Sequence, residues 1–328
     1  MTTVVAGDGA SRRSTPVPVC RNFLETAVRR HHDGPMILIT GATGTVGREV
    51  LRLLVGRGAR IRAMTREPAR LRVPDGTLID VVQADFERAD SLHSAVAGVE
   101  SVFLLTTPGS GGSVADHDLA MIEAARAYGV RKVVKLSAIG GKADDADDLP
   151  SPRHRAGEQA LVASGLTWSA LRPSAFASNT LSWADAIRAG NPVPNMTGTG
   201  AQGVVDPRDV AAVAVEALLT DEHDGATHTL TGPELLSVPD QVAQLAAELG
   251  RTITTVDVPP HAVRQQLVHA GFDPSIADSA VDGYQLVRDG GNAVLTNDVE
   301  RILGHPAHAF RAWAHHHRTA FGADAGHP

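Results

Sequence analysis

The sequence predicts a doubly wound α/β fold: a parallel sheet covered by helices on both faces, with a smaller, mostly helical C-terminal lobe. Two observations carry that expectation. From Met36 onward short β-branched runs alternate with helical segments, and a glycine-rich turn follows the first run directly. Strands that alternate with helices at this spacing join through right-handed crossovers, which makes the sheet parallel. The chain is long enough to bury such a core, with 328 residues, 43% of them hydrophobic and 20% charged.

In order, Met36 to Thr40 reads as a strand, followed by a glycine turn and a helix through about Arg57. Arg60–Thr65, Leu78–Gln83, Ser101–Leu105 and Lys132–Leu136 give the next four strands. Helical periods fill the gaps at Asp90–Val96 and Ala115–Tyr128. After Ser137 the rhythm changes to a Gly/Asp/Pro-rich loop from Gly140 to Pro152, a helix to Ser164 and a strand over Leu166–Leu171. Beyond Pro173 amphipathic spacing recurs near 208–219, 238–249, 261–270 and 275–289, with extended runs at 227–230 and 253–257. Residues 1–35 read as a disordered extension, 36–173 as the main domain, and 174–328 as a lobe with some elements returning to the core.

Composition narrows the function. The net charge is −7, with 30 basic against 37 acidic residues, so the basic footprint of a nucleic-acid binder is missing. Aromatics are 4% of the chain, too few for a base-stacking platform. The single cysteine, Cys20, can close no internal disulfide, which points to a reducing, cytoplasmic compartment. No run approaches the roughly 18 apolar residues of a membrane span, and the N-terminus lacks the apolar core of a secretory signal.

The turn Gly41-Ala42-Thr43-Gly44-Thr45-Val46-Gly47 sits between the first strand and the first helix. Its first glycine permits the tight turn, its second lets backbone approach a pyrophosphate, and its third brings helix and strand together. The helix N-terminus adds N–H groups and partial positive charge. A dinucleotide is the expected ligand, with contacts at Gly41, Thr43, Gly44, Thr45, Val46 and Gly47. Selection for NAD(H) usually places an acid at the end of the second strand, about 20 residues on. Here Thr65-Arg66 stands there, with Glu67 one step beyond. A guanidinium suits a 2′-phosphate, so NADP(H) is preferred over NAD(H). If Arg66 were only a solvated strand end, Glu67 could serve NAD(H). Asp85 and Phe86 lie where the adenine edge arrives, though Asp85 also reads as a turn cap. Leu105, Thr106 and Thr107 end the fourth strand on the same carboxyl edge, where ligands of open parallel sheets sit.

These motifs, taken together, resemble the NmrA-like branch of atypical short-chain dehydrogenases/reductases. The resemblance runs through Ile39 to Gly47, Arg66, Ala84-Asp85-Phe86, Lys135-Leu136-Ser137-Ala138 and His154 with Glu158. It continues through Ser164 to Trp168, Leu171-Arg172-Pro173 to Asn179, Val205 to Val210 and Leu230-Thr231-Gly232-Pro233, covering about residues 36 to 321. It implies an NADP-type Rossmann domain with a small substrate lobe. Family members include quinone, triphenylmethane-dye and alkaloid reductases, and nucleotide-sensing regulators.

Mainstream short-chain dehydrogenases exchange a proton through a Tyr-x-x-x-Lys pair. Only Tyr128 and Tyr284 occur, and neither is read as heading such a pair. In the register of His154 and Glu158, Arg153 takes the lysine position and Leu149 the tyrosine position. Arg153 could contact the ribose hydroxyls, and Ser137 could bond a substrate carbonyl or the nicotinamide amide. His154 is the titratable candidate beside them, and Glu158 is expected to pack or pair on the same helix face. Pro173 would border the nicotinamide, and Phe176, Asn179 and Trp183 the entry to a substrate pocket. The leading expectation is an NADP(H)-dependent reductase of a small apolar or aromatic conjugated acceptor of quinone, imine or enone type. A non-catalytic NADP(H) sensor signalling to a protein partner, and a biosynthetic enzyme using the fold for non-redox chemistry, stay open. No metal is expected: consecutive His315, His316 and His317 on a helix point about 100° apart, and Asp144 to Asp148 lack calcium-loop spacing.

Overall fold

The computed structural model describes residues 34–73, 77, 79–107, 113–140 and 151–322. Strand β1 (Met36–Ile39) is apolar throughout because it lies mid-sheet with both faces covered. Its Ile37 and Ile39 side chains enter one core and Leu38 the other, as a period of two requires. β2 (Arg60–Thr65), β3 (Ile79–Gln83), β4 (Ser101–Leu104), β5 (Lys132–Leu136), β6 (Thr167–Pro173) and β9 (Ala226–Leu230) complete a seven-stranded sheet. Its order is β3-β2-β1-β4-β5-β6-β9, and every pairing is parallel. The strand order reverses between β1 and β4, so a crevice opens at their carboxyl ends.

Helices α1 (Thr45–Gly56) and α6 (Pro207–Leu219) cover one face. Helices α2 (Ala89–Val96), α3 (Val114–Ala127) and α4 (Pro152–Ala163) cover the other. A capping box starts α3: Ser113 Oγ accepts from Asp116 N–H, and Asp116 Oδ2 accepts from Ser113 N–H at 2.9 Å. That start fixes the helical phase that buries His117 and Asp118 against the sheet.

A third core belongs to the lobe. It gathers Trp183, Ile187, Val193, Leu236, Leu245, Phe310, Trp313 and Phe321. These come from a 3-10 segment over Ala177–Trp183, α5 (Ala184–Arg188), α7 (Val238–Leu249) and α11 (Phe310–His317). Two small sheets join them: β7 (Val193–Asn195) with β11 (Thr255–Asp257), and β8 (Gln202–Gly203) with β10 (Leu235–Leu236). Helices α8 (Pro260–His269) and α9 (Pro274–Arg288) pack on each other beside it.

Three elements beyond residue 173 stand on the main sheet instead. They are α6, strand β9, and α10 (Asp298–Leu303), which contacts both. Residues Pro35–Pro328 accordingly form one unit by their contacts. The expectations for residues 1–33, for Leu78 at the start of the third strand, and for Asp144 to Leu149 lie outside the described residues.

Candidate functional site

The turn after β1 is shaped by what its glycines leave out. Gly41 has φ +62°, a conformation that costs glycine little, and a Cβ there would lie 2.9 Å from Leu105 Cδ2. At Gly47 a Cβ would lie 2.1 Å from the Gly41 carbonyl oxygen, so only glycine lets α1 approach the strand this closely. Gly44 N–H closes the turn on Gly41 O at 2.9 Å. No side chain caps α1 at Gly44, and no acid occupies its first turn, so amides at the helix N-terminus stay available to an anion. Thr40 ties this turn to the end of β4, accepting from Leu105 N–H at 2.8 Å.

A cleft of about 230 Å³ opens over the turn, along the carboxyl ends of β1, β2, β3 and β4. Nine of the residues expected at a dinucleotide line it: Gly41, Thr43, Gly44, Thr65, Arg66, Asp85, Phe86, Leu105 and Thr107. Met64, Glu67, Arg70, Ala84, Glu87 and His117 line it too. His117 carries no local sequence signal, being 31 residues from Phe86, yet their rings stack at 5.3 Å and 16°. Its Nδ1 lies 2.9 Å from Thr107 O; a carbonyl can only accept, so the proton sits on Nδ1. Asp85 forms the turn weighed for it. Its Oδ1 accepts from Glu87 N–H at 3.2 Å, an Asp turn, while the residue still faces the cleft. Thr45 is exposed, and Val46 and Gly47 are buried at the root of α1, outside the cleft lining.

Beside β4, a buried polar chain runs from Thr106 into the α3–α4 layer. Thr106 Oγ1 donates to Asp118 Oδ1 at 2.8 Å, and Asp118 Oδ2 pairs with Lys135 Nζ at 2.6 Å. Both charged side chains are fully buried. Burial pushes the Asp118 carboxyl up and the Lys135 ammonium down, each partly offset by the opposite charge beside it. Gly157 makes the approach possible, since a Cβ there would lie 2.0 Å from Asp118 Oδ2. Lys135 Nζ also lies 3.4 Å from His154 Nδ1. Burial first, then the charges of Lys135 and Arg153, push His154 down to about 3. His154 is therefore a neutral imidazole at physiological pH, with Nδ1 accepting and Nε2 protonated.

Several expectations need correction. Glu158 does not pair along its own helix with His154. It takes a bidentate contact from Arg172 of β6, Nε to Oε1 at 3.1 Å and Nη2 to Oε2 at 2.6 Å. The Ser137 hydroxyl donates to the same carboxylate, so its proton is not offered to a carbonyl. Thr106 is likewise spent on Asp118 rather than turned to the cleft. Trp183 is buried in the lobe core, Phe176 packs on the main core, and Asn179 alone of the three is exposed. Pro173 is buried at the end of β6, and Arg153 is exposed on the first turn of α4. None of Thr106, Ser137, Arg153, His154, Pro173, Phe176, Asn179 and Trp183 lines the cleft.

One Tyr-x-x-x-Lys spacing does occur, Tyr128 to Lys132. Neither residue lines the cleft. Tyr128 caps α3 and is exposed. Lys132 opens β5 at the amino edge, away from the cleft, with Nζ 2.5 Å from both Thr220 O and Asp224 Oδ1. On α11, His315 bonds Glu248, His317 stacks on Trp313, and the His316 and His317 rings meet edge-on at 5.1 Å. Among the described residues no helix is long and apolar enough to cross a membrane.

A family model described as NAD(P)H-binding matches residues 41–221. The (4-alkanoyl-5-oxo-2,5-dihydrofuran-3-yl)methyl phosphate reductase of Streptomyces griseus is 39% identical over 289 residues, spanning 88% of this chain and 100% of that protein. The NAD(P)H azoreductase of Xenophilus azovorans is 32% identical over 294 residues, again 88% and 100%. Among solved structures, the NADPH-dependent quinone oxidoreductase of Escherichia coli, complexed with NADPH, superposes with a TM-score of 0.74. It shares 26% identity and covers 86% of this chain and 99% of its own.

Proposed function

The chain belongs to the NAD(P)H-binding family of NmrA-like, atypical short-chain dehydrogenases/reductases, and from that premise we propose that it reduces a conjugated carbon–carbon double bond flanked by carbonyl groups, with NADPH preferred. That it is an NAD(P)H-dependent oxidoreductase follows from its relatives, a reductase, an NAD(P)H azoreductase and an NADPH-dependent quinone oxidoreductase, each matched over nearly its whole length. The preference for NADPH is supported by Arg66 at the cleft, where a 2′-phosphate would arrive.

The residues present fit a dinucleotide: glycines at 41 and 47 let the turn fold tightly against α1, Gly41, Thr43 and Gly44 line the cleft, and α1 has no side-chain cap. The uncapped start of α1 and the Gly44 backbone would hold the pyrophosphate. Arg66 and Asp85 would hold the adenosine end, beside the stacked Phe86 and His117. NAD(P)H bound there supplies a hydride.

The acceptor class rests on one observation, the way the polar groups around the carboxyl ends of β5 and β6 are already engaged. Ser137 donates to Glu158, Glu158 is held by Arg172, and His154 stays neutral against Lys135. A simple ketone would need a strong proton donor at its oxygen. A double bond conjugated to two carbonyls does not, because hydride addition leaves an enolate spread over both oxygens, which water can protonate. The Streptomyces griseus relative is named for a substrate of that form, an alkanoyl group and a ring carbonyl on one dihydrofuran double bond.

The test is a panel of acceptors, an acylbutenolide with and without a phosphate, a benzoquinone, an azo dye and a simple ketone. NADPH consumption should be fastest with an acylbutenolide and absent with the ketone. Turnover of the ketone, or of quinones alone, would reject the acceptor class.

A further inference from the structure

The adenosine end of the cleft carries more charge than one cofactor calls for. Arg66, Glu67 and Arg70 all line it. Glu67 and Arg70 are paired, Nε to Oε2 at 2.8 Å, with both side chains largely solvated. Among the described residues the Arg66 guanidinium has no ion-pair or hydrogen-bond partner.

The backbone presenting these three residues is pinned at both ends. Glu67 N–H bonds Thr65 Oγ1 at 3.2 Å, and Gln83 Nε2 donates to Arg66 O at 3.0 Å. Arg70 N–H closes a 3-10 turn over Pro68–Arg70 on Glu67 O, also at 3.0 Å. That turn, which the sequence alone did not disclose, is what brings Arg70 back to the rim. Any response to a different ligand must therefore come from side chains.

We propose that Glu67 and Arg70 adapt this rim to both NADPH and NADH by exchanging partners. The proposal rests on the NAD(P)H site described above. With a 2′-phosphate, Arg70 leaves Glu67 and joins Arg66 on the phosphate, where guanidinium forks make charge-assisted, paired bonds. With a 2′-hydroxyl, Arg70 stays on Glu67, and the carboxylate accepts from the ribose hydroxyls. A solvated ion pair adds little stability, so the exchange opposes binding only weakly. Glu67 without Arg70 would repel the phosphate, and two arginines without Glu67 would leave the ribose hydroxyls no acceptor.

Calorimetric titration of the full chain with NADPH and NADH tests this, on wild type, Glu67→Gln and Arg70→Ala. The readout is the ratio of Kd for NADH to Kd for NADPH. Glu67→Gln should raise that ratio by about 5-fold or more, through a lost carboxylate acceptor and a lost repulsion. Arg70→Ala should lower it by about 10-fold, through a lost phosphate contact. Both side chains are solvated, so unfolding temperatures should match wild type and confirm that folding is intact. Ratios that stay within about 2-fold of wild type, or that move the same way in both variants, overturn the exchange. Wild-type binding of NADPH alone overturns it too. Wild-type binding of neither dinucleotide rejects the cofactor reading of the cleft along with it.

Discussion

His154 shows how far one side chain's chemistry depends on its neighbours. Its ring is held at about 3 against an ordinary 6.5, chiefly by burial and then by the charges of Lys135 and Arg153. The unfolded chain takes up this proton as pH falls through 6.5, whereas the folded chain does not until about 3. Between those values the unfolded state binds more protons, so stability rises with pH across the window and is lost on acidification. The loss at pH 5 relative to neutrality is on the order of 2 kcal/mol. Urea unfolding at the two pH values should show that difference, and His154→Gln should flatten it; an equally steep variant would refute the assignment. Gly157 gives a second test at this scale. Alanine there would set a methyl 2.0 Å from Asp118 Oδ2 and force the buried Asp118–Lys135 pair apart. We expect Gly157→Ala to cost about 2–4 kcal/mol of folding free energy in a denaturant titration. A loss within the scatter of a surface substitution would contradict the packing.

At the scale of elements, the strands in the middle of the main sheet were legible because both their faces are buried. Met36–Ile39 and Lys132–Leu136 are short apolar or β-branched runs with turn signals on either side, and they sit within a residue of where the pattern places them. The lobe's strands were not all legible. Gln202–Gly203 and Leu235–Leu236 are two residues each, too short for any period. The α1–β1 contact is the element on which the site depends most. Gly47→Ala would put a methyl 2.1 Å from Gly41 O and push helix from strand. NADPH affinity should fall by about 10-fold or more, and the unfolding temperature should drop with it. Wild-type affinity in that variant would mean the turn does not hold the pyrophosphate.

For the whole molecule, the return of α6, β9 and α10 to the main sheet ties the lobe to the core through several chain crossings. The two regions should therefore unfold together. The three tryptophans report on this, since Trp168 packs on the main sheet while Trp183 and Trp313 lie in the lobe core. Urea transitions followed by fluorescence of Trp168→Phe and Trp183→Phe/Trp313→Phe proteins should each coincide with far-UV circular dichroism. Saturating NADPH should shift the lobe and sheet probes to higher urea by equal amounts. Separate midpoints would show a lobe that folds on its own.

Fold class, the order of the main-sheet strands along the chain, and the glycine turn at the carboxyl edge can all be read from the residues in order. Each is a local pattern: a period of two, a period near 3.6, or residues whose backbone freedom can be read from their type. Which polar groups remain free to act depends on long-range packing. Ser137, just past β5, and Arg172 of β6 meet on Glu158, and Thr106, Asp118, Lys135 and His154 form one buried chain from four separate segments. No local pattern encodes those partners, because a hydrogen bond between distant segments is selected by where packing brings them. The same holds for Arg70, which a single 3-10 turn returns to the cleft.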